Sequence, residues 1–334
     1  MSIDLPASAA PRVSVIIPCS SRIDLLYGCL RSLARFGPAA IPFETIVVLN
    51  EATPAAESEL RKTVTGIHVL SSPVNLGLAG SGNRGRSLAR GELLILLHDD
   101  AEIQPGWMEA LVETADAHPE AGAIGGKVLH FDGRLQWAGG ILWREAICTW
   151  PWAGEAPAPT AFDRLRTVDF CGTSSLLVRA ALWDFVGGLD ERFYPVYYVD
   201  VDLAMAMRKL GFLVLYQPNS CIRHHQGGST KLDFKTFLIN RNRLLFLEKW
   251  GAAMENQEPY ESDSPDAVER ALARAEVFAD QCRRKGNMMF EPSPRPKSFN
   301  AAEQDSRCVE KSLALKNAYA AWQTDRGRSA FSAR

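Results

Sequence analysis

The sequence predicts an α/β protein with a mostly parallel central sheet and a helical C-terminal extension. Three observations carry that prediction. Short apolar runs recur at VSVIIP (13–18), TIVVL (45–49), GIHVL (66–70) and ELLILL (92–97). Helix-length segments, 25–36, 54–64 and 78–90, separate them. The last third turns to helical spacing over 234–250, 267–285 and 303–323. Unbroken apolar runs of strand length mark strands covered on both faces, as in sheets flanked by helices.

Residues 1–12, rich in Ala, Ser and Pro, read as a flexible leader. The first strand, 13–18, leads into the helix LLYGCLRSLARF, which Gly37-Pro38 stops. After the fourth strand, Pro105 opens the helix WMEALVETADAH, ended by Pro119. GAIGGKVLHF (122–131) continues the sheet. Residues 132–168 carry DG, GG and PWAGEAPAP and predict turns and a long loop. Order resumes over 168–193 with a strand, a short helix and a glycine turn. DLAMAMRKLG (202–211) is a helix with a glycine stop, and FLVLYQP (212–218) a strand. The economical division is a core over 13–250 and a linker with a helical extension over 251–334.

Composition bounds the function. The chain has 334 residues, 46% hydrophobic and 23% charged, with a net charge of -2. This is ordinary globular composition and argues against a nucleic-acid surface. The 7 cysteines form no CxxC, which predicts reduced, mostly buried thiols in a cytoplasmic protein. The N-terminus lacks the order of a signal peptide, and no apolar run reaches membrane-spanning length. Peripheral contact with the inner membrane face stays open, as does oligomerisation through the extension.

Three groups carry candidate chemistry. The strand LLILL runs directly into His98, Asp99 and Asp100, where active groups of open α/β sheets stand. Its carboxylates suit a hard cation, although Asp also caps helices and starts turns. YPVYYVDVDL places Asp200 and Asp202 ahead of a helix. Two-residue spacing would point them apart, so one cap and one cleft-facing acid is the expectation. RHHQGGST supplies adjacent imidazoles, His224 and His225, of which an extended chain aims one inward and one away. The glycines of NLGLAGSGNRG allow close backbone approach to a phosphate or, equally, tight turns.

The order of these motifs resembles family 2 glycosyltransferases with the GT-A nucleotide-sugar transferase fold, including bacterial rhamnosyltransferase-like polysaccharide enzymes. The resemblance runs over about 13–250 through VSVIIPCSSRIDLLYGCLRSL, TIVVLNEAT, NLGLAGSGNRG, ELLILLHDDAEIQPGW, DFCGTSSLLVRAALWDFVGGLDERFYPVYYVDVDL and CIRHHQGGST. It implies a nucleotide-sugar donor, Mn2+ or Mg2+, inverting transfer, and a glycan or lipid-linked glycan acceptor. By position, Asp100 and His224 are the implied metal ligands, with Asp99, His98, His225 and Asp202 as further or supporting ligands. Asp200 matches the catalytic base, although Val199 stands where Glu is common. Pro18, Cys19, Ser20, Asn50, Asn75, Gly77, Ala79 and Asn83 match the nucleotide side, with Leu49 replacing a common Asp. Gly172, Thr173 and Trp137 match the sugar or acceptor side. Two other readings compete. A noncatalytic carbohydrate-binding protein on a degenerate GT-A fold would explain Val199, Leu49 and His98. A nucleotidyltransferase would need a stronger basic phosphate site near the first strand.

Overall fold

A computed structural model describes residues 2–20, 22–154, 162–225, 231–261, 264–285 and 299–332. The chain opens with β1 (Ile3–Asp4), β2 (Val13–Cys19), α1 (Ile23–Phe36), β3 (Phe43–Asn50) and α2 (Pro54–Thr63). There follow β4 (Val64–Thr65), β5 (Ile67–Ser72), α3 (Gly77–Leu88), β6 (Leu93–Leu97), β7 (Ala101–Ile103) and α4 (Trp107–Ala117). The middle holds β8 (Ala121–Leu129), β9 (Leu135–Trp137), β10 (Ile141–Leu142), β11 (Cys148–Thr149), β12 (Arg166–Thr167), β13 (Ser175–Arg179) and α5 (Ala180–Val186). The rest is α6 (Val199–Lys209), β14 (Leu213–His224), α7 (Leu232–Met254), α8 (Pro265–Lys285) and α9 (Ala301–Ser332).

The main sheet runs in the order β12–β14–β8–β13–β6–β2–β3–β5. The strands β5, β3, β2 and β6 pair in parallel, as the sequence predicts. β8 and β14 also pair in parallel, and antiparallel strands enter this mostly parallel sheet at β13 and β12. β13 begins with Ser175 opposite Leu97, beside the C-terminal end of β6, so it re-enters the sheet running backwards. It lies antiparallel to both β6 and β8.

The apolar runs are explained by burial on two faces. Leu93, Ile95 and Leu97 join one core with Val15, Ile17, Val47 and Leu49. Leu94 and Leu96 join the other with Ile16, Ile46 and Val48. Alternate side chains therefore enter opposite cores, and no position in β6 is left for a polar residue. α3 lies close against β2: a Cβ on Gly85 would stand 2.3 Å from Ile16.

Several boundaries move. The leader is held at its start, since β1 pairs with β4 and Ile3 and Leu5 are buried. The predicted loop over 132–168 contains β9, the β10–β11 hairpin and β12. α6 starts at Val199, so both Asp200 and Asp202 belong to its first turn. β14 continues past 218 to His224 through a register shift between Gln217 and Cys221. The glycine pair and Ser-Thr that follow His225 lie outside the described residues, as does PSPRPKS.

The extension packs on its own chain. Arg274 of α8 pairs with buried Asp169, which also binds Arg208 of α6 and accepts the Leu142 N–H. In α9, Asp305 pairs with Arg84 of α3, while Gln304 bonds the Gly80 carbonyl and Glu191. All seven cysteines are free thiols, five of them buried. Among the described residues no helix is long and apolar enough to cross a membrane.

Candidate active site

The site is assembled where three chain segments end at the C-terminal edge of the sheet. β6 delivers His98, the turn after it delivers Asp100, and β14 delivers His224. The strand β7, directly after Asp100, pairs antiparallel with the end of β14 and sets His224 opposite Ala101. The His225 N–H then bonds the Asp100 carbonyl at 3.1 Å. That register brings residues more than a hundred positions apart into contact.

The ligand atoms of His98, Asp100 and His224 lie within 4.8 Å of one another. His224 Nε2 is 2.9 Å from Asp100 Oδ1, and His98 Nδ1 is 3.3 Å from His224 Nε2. His98 Nε2 meets the Thr173 hydroxyl at 3.2 Å, which turns Nδ1 toward the other two. Burial, and then the neighbouring His224, lower the His98 pKa to about 4. Burial works against ionisation of Asp100, but the His224 hydrogen bond and the two imidazoles outweigh it and hold its pKa at about 2. An ionised carboxylate beside a neutral His98 fits a divalent cation that accepts mixed nitrogen and oxygen donors.

The other predicted ligands point elsewhere. Asp99 accepts the Ser20 N–H at 3.1 Å, facing the end of β2 with Pro18 and Cys19. Burial, then the Asp100 charge, raise its pKa to about 6. The His225 ring is stacked on Phe131 with centroids 3.9 Å apart, away from the trio. Asp202 is buried and accepts from Trp250 Nε1 at 2.7 Å and from Lys249. It fastens α6 to α7 and is not offered to a ligand.

Asp200 has a different environment. Its Oδ1 accepts the Val201 N–H at 3.0 Å, and no basic side chain pairs with it among the described residues. Burial raises its pKa to about 6. Burial and then the Asp200 charge push the Cys148 thiol of β11 well above its ordinary value. The next residues carry Trp150, stacked on Trp137 at 4.8 Å. Trp137 in turn leans on His224 at 5.6 Å. Gly172 leaves room between these rings, since a Cβ there would stand 3.4 Å from Trp150 and 3.5 Å from Trp137. An aromatic wall of Trp150 and Trp137 thus borders the His–Asp–His trio.

The expected nucleotide side is mostly scaffold. Asn50 is buried, accepting the Leu76 N–H and bonding the Ser81 hydroxyl. Asn75 accepts the Gly77 N–H at 2.8 Å just ahead of α3. Gly77 has φ +65, and a Cβ would stand 2.7 Å from the Pro195 carbonyl oxygen. Asn83 clamps the backbone N–H and C=O of Leu189, and Ala79 is buried. The glycines Gly80, Gly82 and Gly85 allow close packing against α9, Leu189 and Ile16. Gln136 and Trp150 escaped the sequence reading. An alternating LQW within a turn-rich stretch was the only signal for Gln136.

Comparison with known proteins defines the family and the fold. A family model described as glycosyl transferase family 2 matches residues 14–186, more than half of the chain, and the chain belongs to that family. The O-antigen biosynthesis protein RfbC of Myxococcus xanthus is 30% identical over 243 residues, covering 68% of this chain and 18% of that protein. The uncharacterized protein y4gI of Sinorhizobium fredii is 28% identical, and 25% of its length is covered. The chain therefore spans a quarter or less of these two relatives. The N-acetylglucosaminyl-diphospho-decaprenol L-rhamnosyltransferase of Mycobacterium tuberculosis is 27% identical over 230 residues, covering 62% of this chain and 74% of that protein. Among solved structures, GalNAc-T7 with UDP, GalNAc and Mn2+ aligns with TM-score 0.58 at 14% identity, covering 86% of this chain and 59% of that one. The mannosyltransferase PcManGT of Pyrobaculum calidifontis, with GDP-Man and Mn2+, gives 0.52 at 16% identity, covering 96% and 85%. At such identities the likeness defines the fold, which is GT-A-like.

Proposed function

We propose that this chain is an inverting glycosyltransferase. It moves a sugar from a nucleoside-diphosphate donor to a hydroxyl of a glycan or lipid-linked glycan, in the cytoplasm or at the inner face of its membrane. The observation that carries the reading is the division of labour between two acidic centres. Asp100 lies among imidazoles that favour its ionised form, whereas Asp200 is half-buried with no basic side chain paired to it among the described residues.

Asp100, His224 and His98 would hold the cation. Two imidazoles and one carboxylate favour Mn2+ over Mg2+, which prefers an all-oxygen shell. When bound, the cation stabilises charge building on the leaving diphosphate. Asp99 and the Ser20 N–H border the donor from the end of β2. Asp200 accepts the proton of the acceptor hydroxyl as that oxygen attacks the anomeric carbon. Attack from the face opposite the diphosphate inverts the anomeric centre, and no covalent intermediate on the protein is required. Trp137, Trp150, Gly172 and Thr173 shape the sugar side. The transferase domain is assigned to 13–250, with 251–334 as an extension that braces it through Arg274 and Asp305.

The test is a screen of UDP-, dTDP- and GDP-sugars with Mn2+ or Mg2+, followed by acceptors with the best donor. Release of nucleoside diphosphate and a product of inverted anomeric configuration are expected. Sugar binding with no turnover under any pairing would sink the enzymatic reading and favour a noncatalytic carbohydrate binder.

A further inference from the structure

We propose that Gln136 is the positioning residue of the cation site: it fixes the His224 ring with Nδ1 protonated and Nε2 turned to the cation, an assignment that rests on the metal reading above. Gln136 is 3% exposed and belongs to β9, the short strand paired with the end of β8. It holds His224 at two points. Its Oε1 is 2.6 Å from His224 Nδ1, and its Nε2 is 3.4 Å from the His224 carbonyl oxygen. The same Nε2 lies 3.2 Å from His130 Nδ1 on the β8–β9 turn.

These contacts orient the amide. A backbone carbonyl only accepts, so the atom facing it is the amide nitrogen. The amide oxygen then faces Nδ1, and an oxygen that only accepts requires Nδ1 to carry a proton. Nε2 is left on the side of Asp100 and His98. This holds whether Nε2 meets the Asp100 carboxylate, 2.9 Å away, or a cation. His224 is itself 4% exposed, so no bulk water replaces the amide if it is removed. Partners of this kind raise ligand basicity and fix ring orientation. The indole of Trp137, one residue on, covers the ring from another side at 5.6 Å. β9 therefore supplies both the hydrogen-bond acceptor and the packing that hold one metal ligand.

Three measurements test the assignment. Nitrogen NMR of the unsubstituted protein without metal should show His224 Nδ1 protonated, and an unprotonated Nδ1 overturns the proposal. Gln136→Leu removes the acceptor and should weaken Mn2+ binding about 10–100-fold in calorimetric titration. Gln136→Glu keeps an acceptor toward Nδ1 and should retain Mn2+ affinity. Unchanged affinity in Gln136→Leu, or an equal loss in both variants, overturns the role. If Gln136→Leu does not fold, the NMR result and the Gln136→Glu titration decide. Failure of the unsubstituted protein to bind Mn2+ would remove the metal reading alone, because the His224 proton is read without metal.

Discussion

Replacing Asp200 by Asn separates a catalytic carboxylate from a structural one, because activity and stability are expected to move in opposite directions. Burial lifts the Asp200 carboxyl from 3.8 to about 6. At about 1.4 kcal/mol per pKa unit, the ionised form costs the folded state about 3 kcal/mol. The sign follows from the order of proton release. As pH rises from about 4 to about 6, the unfolded chain loses this proton first, so folding stability falls across that window. Asn carries no charge and retains an oxygen for the Val201 N–H. Asp200→Asn should therefore be more stable above about pH 6, by up to about 3 kcal/mol, with the gain vanishing below about pH 4. Removal of a general base should lower kcat by about 10²–10⁴-fold. The assays are urea unfolding of the metal-free protein at both pH values, and nucleoside diphosphate release with the best donor. The unsubstituted enzyme should also lose activity as pH falls through about 6. Asp99 is raised to a similar value, so that acidic limb must survive Asp99→Asn. Unchanged turnover in Asp200→Asn, or a loss of stability above pH 6, would refute the reasoning.

Other perturbations test the remaining assignments. His224→Ala should weaken Mn2+ binding by more than about a hundredfold, beyond what loss of a supporting partner does, whereas His225→Ala should leave it unchanged. Isothermal titration distinguishes them, and equal losses would mean that His225 also reaches the cation. Asp169→Ala strands Arg208 and Arg274 and should cost about 3–5 kcal/mol in urea unfolding. A negligible cost would show that α8 is not fastened through this carboxylate. Gly77→Ala combines a left-handed backbone with contact against Pro195 and should cost about 2–4 kcal/mol in thermal melts. A melt matching the unsubstituted protein would mean that the 194–196 segment yields at little cost.

The sequence by itself determined the α/β class, the parallel first half of the sheet and a turn of polar, ligand-type side chains after LLILL. Those features are local: strand length, apolar continuity and a polar break are written in consecutive residues. It did not determine which of neighbouring groups serve the site. Asp99 and Asp100 adjoin, yet one faces Ser20 and the other His224. His224 and His225 adjoin, yet only the former joins the trio. Asp200 and Asp202 share a helical turn, yet Lys249 and Trp250 occupy the second. The direction of β13 and the buried contact of Gln136 were likewise absent from any local pattern. Each was decided by pairing between distant strands, above all the register that sets His224 opposite Ala101. A shift of one residue there would present the other side chain to the site, and only the folded chain fixes that register.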